Sequence, residues 1–184
     1  MNLSHFKKTI PINNSDKNLF INKNYNLADT FGCLTNNGFN KIINISKIKL
    51  NNLNTKIFAD LGSGDGRTVF WASQFFNKSI GIELSSARHS EAINIKNKFY
   101  NNDSISLINK DIIDYDYSNF DVIYISSLCF PDHLMEKLTH KLDNELKENT
   151  LVFTISPLKN CQDYEIINVD QTYINTSYLY FYQY

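Results

Sequence analysis

The sequence is short of the residues that several function classes need. Only two of its 18 basic residues are arginines, Arg67 and Arg88, so bidentate reading of phosphates or base edges is thinly supplied. Lys+Arg 18 against Asp+Glu 19 leaves a formal net charge of -1, which supplies no basic excess to hold a polyphosphate backbone. No strong nucleic-acid binding is expected from charge. No apolar run approaches the roughly 20 residues of a membrane-spanning helix, and the first residues, broken by Lys7, Lys8, Pro11 and Asn13, do not read as a secretory signal. The 3 cysteines, Cys33, Cys129 and Cys161, are odd in number and far apart. They form neither a disulfide framework nor a metal set, so an intracellular, reducing compartment, cytoplasmic or nuclear, is expected. His89, His133 and His140 likewise form no metal-ligand set, and no metal is expected.

Glycine is the scarcity that informs most. The chain has 6, and three of them, Gly62, Gly64 and Gly66, alternate within one run, where the backbone must do what side chains forbid. The 184 residues, 42% hydrophobic and 14% aromatic, suffice for one domain with a real core. Residues 1–24 are polar and rich in Asn and Lys, and read as an N-terminal arm or loosely docked segment; residues 25–184 read as a single domain.

Periodicity gives that domain its class. Apolar positions between Leu34 and Ile48 suggest a helix. From residue 57 strands and helices alternate: strands at 57–61, 79–83, 105–108, 122–125 and 151–155, with helical spacing through Val69 to Phe76, Ala92 to Phe99 and Met135 to Leu146. Pro131 suits the first turn of the last helix. This alternation predicts an α/β fold, a Rossmann-like, mostly parallel sheet with helices on both faces. The last twenty residues read as two β-rich runs split by Asp170-Gln171, hence a C-terminal antiparallel hairpin. Only Pro157 to Asp163 separates the fifth strand from that hairpin, too little for a crossover helix.

The run Asp60-Leu61-Gly62-Ser63-Gly64-Asp65-Gly66-Arg67 follows the first strand and opens the first helix, where bare backbone N–H groups can approach a ligand. Glu83 ends the second strand, placed to accept from two ribose hydroxyls. Asp111 follows the third and could reach an adenine amino group. The third glycine comes too early for a dinucleotide fingerprint, and Asp60 and Asp65 would repel a pyrophosphate. A sulfonium ligand bearing an ammonium group suits them better, so S-adenosylmethionine is favoured over NAD, and an NAD-dependent oxidoreductase is the weaker reading.

Asp60 to Gly66, with Gly81-Ile82-Glu83-Leu84, resembles motifs I and II of class I S-adenosylmethionine-dependent methyltransferases. Phe58 to Gly66, Gly81 to Ser85 with Arg88 and Ala92, and Tyr124 to Phe130 followed by Leu134, Leu138 and Leu146 are similar to the non-SET histone-lysine methyltransferases of the telomeric-silencing-disruptor family. Asp60 to Arg67 also resembles a non-histone type of protein-lysine methyltransferase. Phe31-Gly32-Cys33 stands where the silencing family has Tyr-Gly-Glu, Ser126-Ser127 stands where it has Asn-Asn, and no long basic tail accompanies the domain.

The resemblance implies methyl transfer from S-adenosylmethionine to a lysine-bearing protein substrate, with histones and nucleosomes among the acceptors and a role in chromatin regulation. Asp60, Gly62, Ser63, Gly64, Glu83, Leu84, Asp111, Ile112 and Ser126 are the expected cofactor-binding residues. Ser127, Phe130, Phe31 and Tyr182 are expected at the acceptor end, the aromatics as a desolvating channel for the lysine amine. The alternatives are a catalytically silent cofactor-binding module or partner subunit, and a methyltransferase acting on a small molecule or RNA.

Overall fold

The computed structural model describes residues 6, 10–25, 34–169 and 177–184. Five strands build a parallel sheet: β1 (Ile57–Leu61), β2 (Lys78–Glu83), β3 (Ile105–Asn109), β4 (Val122–Ile125) and β5 (Leu151–Thr154). Two more, β6 (Glu165–Val169) and β7 (Ser177–Gln183), form the hairpin. The order is β3-β2-β1-β4-β5-β7-β6. β7 pairs antiparallel with both β5 and β6, so β6 runs parallel to β5 at the outer edge. The connection after β5 carries no helix, as its length predicts, but it crosses past the place that β7 takes and does not fold directly back.

Alternation along the strands divides the core in two. Phe58, Val122, Tyr124, Leu151 and Phe153 face α2 (Asn36–Lys49), which packs through Phe39, Ile42 and Ile43. Ala59, Leu61, Ile123, Ile125 and Val152 face α5 (Asp132–Glu145), whose Leu134, Met135, Leu138 and Leu142 recur at helical spacing. A third cluster joins α3 (Arg67–Ala72) to α4 (Ser86–Phe99) and β3 through Val69, Phe70, Ile95 and Ile105.

Three local expectations are revised. α3 ends at Ala72, not Phe76: Ser73 turns its hydroxyl back to the Phe70 carbonyl at 2.8 Å, and the next residues are turns. Pro131 is the N-cap of α5, just outside the first turn. The N-terminal arm is not loosely docked along its length, since it carries helix α1 (Asn14–Asn22), whose Asp16 and Phe20 are buried.

The chain runs outward from β1 through β2 to β3, then returns to the other side of β1 with β4. This reversal opens a crevice at the carboxyl ends of β1 and β4, where ligands of open α/β sheets bind.

Candidate active site

The glycine run is pinned across the top of β2. Gly62 and Ser63 both donate to the Ile82 carbonyl, at 2.8 and 3.1 Å. Gly62 lies at φ +85°, in the region that favours glycine, and a Cβ there would come within 3.3 Å of the Phe130 ring. Gly64 donates its N–H to Glu83 Oε2 at 2.8 Å, and Ser85 donates to Oε1 at 2.8 Å. Each carboxylate oxygen of Glu83 therefore keeps a lone pair for a further donor, which is what two ribose hydroxyls need.

Around this loop opens a cleft. Asp60, Gly62, Ser63, Gly64, Glu83, Leu84, Asp111, Ile112 and Ser126, all nine residues expected to bind the cofactor, line it. Phe130 lines it too, beside Leu128 and Pro131. Ser127 and Tyr182 do not. Ser127 is buried beneath the turn at Ser127–Cys129, its Oγ accepting from the Ser156 N–H at 2.9 Å. Tyr182 lies on the α5 face of β7, its hydroxyl accepting from the Leu158 N–H at 2.8 Å. Both hydroxyls are spent on backbone N–H groups. Phe31, with Gly32 and Cys33, lies outside the described residues.

The cleft is acidic in an unusual way. Asp60 is 2% exposed; Oδ2 accepts the Thr68 hydroxyl hydrogen bond, and Oδ1 has no hydrogen-bond partner. Burial, with the charges of Glu83 and Asp65 nearby, pushes the Asp60 carboxyl well above the usual range. Burial also raises Glu83, opposed by the Arg88 charge and the N–H groups of Ser85 and Gly64. Asp65 contributes less to the cleft than its place in the sequence suggests, because Arg67 holds it at 2.6 Å. A buried carboxyl with an unused oxygen gains from a cationic neighbour, while Arg67 and Arg88 also stand in the cleft lining. The carboxylates of Asp60, Glu83 and Asp111 fit the positively charged, hydroxyl- and amine-bearing groups of S-adenosylmethionine.

One wall was absent from the sequence reading. Phe20 and Tyr25, at and just beyond the end of α1, line the cleft. Tyr25 donates to Asp111 Oδ2 at 3.3 Å, Lys23 pairs with the same oxygen at 2.7 Å, and the Ile113 N–H donates to Oδ1 at 3.0 Å. Burial first, then the Asp111 charge, pushes the Tyr25 hydroxyl to about 12. Nothing in the spacing of residues 14–25 announces these contacts, which join positions 86 apart in sequence.

The family model of the ANTKMT methyltransferase domain matches residues 60–162. A protein-lysine N-methyltransferase of Saccharolobus islandicus (strain REY15A) is 31% identical over 128 residues, covering 67% of this chain and 78% of that protein. Among solved structures, an RNA methyltransferase from Salinibacter ruber in complex with S-adenosyl-L-homocysteine superposes with a TM-score of 0.64 at 20% identity, covering 79% of this chain and 88% of that one. A putative methylase from Haemophilus influenzae gives 0.59 at 18% identity, covering 78% and 86%. These two likenesses are of fold.

Proposed function

This chain belongs to the ANTKMT methyltransferase domain family, and from that premise we propose that its S-adenosylmethionine-dependent methyl transfer ends on the side-chain nitrogen of a protein lysine. The observation that carries the choice of acceptor is the 31% identity to a protein-lysine N-methyltransferase over two thirds of the chain. Charge supports it against RNA. Both arginines are buried in the cleft lining, Arg67 at 7% and Arg88 at 6% exposure, rather than spread over an outer surface that could track a phosphate backbone. Histones enter only through the motif resemblance of residues 58–66, 81–92 and 124–146, and form one acceptor class within this reading. No helix among the described residues is long and apolar enough to cross a membrane. The free thiols of Cys129 and Cys161 suit a reducing compartment, cytoplasmic or nuclear.

S-adenosylmethionine, when bound, supplies a methyl group already activated on a sulfonium. The protein's own task is then to align and to desolvate. Asp60, the glycine loop, Glu83 and Asp111 fix the donor end. Leu128, Phe130, Pro131 and Leu134 give the other end of the cleft an apolar lining. An ammonium entering between such side chains loses hydration, its pKa falls, and it gives its proton to solvent water, which frees the nitrogen lone pair without a strong side-chain base. Phe130 rests against Gly62, which puts this apolar wall directly on the cofactor loop.

The test is tritium transfer from S-adenosylmethionine to lysine-rich proteins, nucleosomes and RNA, with mass spectrometry of the product. Methyl-lysine in protein is expected. Label in RNA or in a small molecule would refute the acceptor. S-adenosylhomocysteine binding with no transfer to any of them would favour the silent module.

A further inference from the structure

Helix α1 and the residues just after it reach the neighbourhood of both acidic residues expected to meet the nucleoside, the start of α4 behind Glu83 and the Asp111 carboxylate. Its Asp16, 2% exposed, points into the start of α4, immediately after the Glu83 strand. Oδ1 accepts the Ser86 N–H at 3.0 Å and the Ser86 hydroxyl at 2.9 Å, and Oδ2 accepts the Ser85 hydroxyl at 2.6 Å and the Ala87 N–H at 3.2 Å. One carboxylate thus caps the positive end of a neighbouring helix, where a negative charge is favourable. Asn13 adds a hydrogen bond to Ser86 at 3.2 Å. At its other end α1 delivers Lys23 and Tyr25 to Asp111 Oδ2, leaving Oδ1 with one acceptor site beyond the Ile113 N–H.

The hold on α1 is largely polar along the helix itself. Its nine residues bury one apolar side chain, Phe20, and a helix below about 12 residues is marginal alone. Its docking therefore combines that apolar anchor, with Ile12 and Tyr25 packed beside it and Tyr25 stacked on His133 at 5.9 Å, with the Asp16 bonds and the Asp111 pair.

We propose that α1 is the latch of the cofactor site: Lys23 and Tyr25 position Asp111 for the adenine, and the docking of Asp16 on α4 governs entry and exit of the cofactor. The inference rests on the reading of the cleft as the S-adenosylmethionine site. Lys23 and Tyr25 act through Asp111 as positioning residues; Phe20 and Tyr25 close the wall against the adenosine.

A latch slows binding and release alike, whereas a simple contact slows release only. The experiment is surface plasmon resonance of S-adenosylhomocysteine on the immobilised full chain, comparing wild type with Asp16→Ala. Association and dissociation rates are both expected to rise at least threefold, with a smaller change in Kd. In wild type, S-adenosylhomocysteine should slow hydrogen exchange of the 14–22 amides. Lys23→Met should weaken binding mainly through faster dissociation. If Asp16→Ala does not fold, Asp16→Asn, which keeps the shape and loses the charge, reads the same rates. A rise in dissociation alone, or no change in either rate, would overturn the latch while leaving the cofactor reading intact. Failure of wild type to bind S-adenosylhomocysteine would overturn the cofactor reading and the latch with it.

Discussion

Asp60 concentrates the electrostatics of the site in one side chain. An ionised carboxyl with one unused oxygen, beside Glu83 and Asp65, is costly in a buried position, and its pKa is raised accordingly. A cationic ligand reverses the balance by favouring the charged form. Between the raised pKa of the free protein and the lower one of the complex, binding must therefore release a proton, and affinity must increase with pH across that window. Titrating S-adenosylmethionine in two buffers of different ionisation enthalpy should reveal this release, and Asp60→Asn should abolish it. Equal heats in both buffers for the wild type would show that Asp60 does not meet the ligand's charge. The residue itself was legible in the sequence, since an acidic residue at a strand end before a glycine run reads as a ligand contact. Its raised pKa was not, because that depends on how deeply the fold buries it and on the pairing of Asp65 with Arg67.

At the level of elements, the strands and the hairpin were readable because period-2 and period-3.6 patterns are local. α1 was not. The segment Asn14–Asn22 has one buried apolar residue and owes its place to contacts with positions 85–87, and the residues that follow it, Lys23 and Tyr25, to contacts with position 111, which no window of neighbouring residues contains. Ser127 and Tyr182 were misplaced for a related reason. Position along the chain brought them near the site, but the turn after β4 and the facing of β7 direct their hydroxyls to backbone groups. Gly81 shows the converse, a residue whose importance lies in packing between elements. A Cβ on it would stand 2.7 Å from Ser63 Oγ and 2.9 Å from Val69 Cγ2, the first in the cofactor loop and the second in α3. Gly81→Ala should thus displace the loop, costing about 1–3 kcal/mol of stability and weakening S-adenosylhomocysteine binding at the same time. Thermal unfolding and calorimetric titration of one preparation check both effects, and a destabilised variant with unaltered affinity would separate β2 packing from loop position.

Across the whole molecule, the sheet separates chemistry from support. The cleft gathers at the β1–β4 reversal, while the hairpin closes the far edge through the antiparallel pairing of β5 with β7. Because the connection after β5 is too short for a covering helix, that edge leans on particular bonds, and the Tyr182 hydroxyl accepting from the Leu158 N–H is a buried one. Tyr182→Phe leaves that N–H without a partner, a loss of about 1–3 kcal/mol. In a domain of this size each kcal/mol lowers Tm by roughly 2–4 °C. Tyr182→Phe should therefore melt several degrees earlier while binding S-adenosylhomocysteine with wild-type affinity and transferring methyl groups at the wild-type rate below its melting range. A variant that melts normally but loses transfer would return Tyr182 to the acceptor channel, and would mean that the hairpin reaches the chemistry that its position in the sheet sets apart.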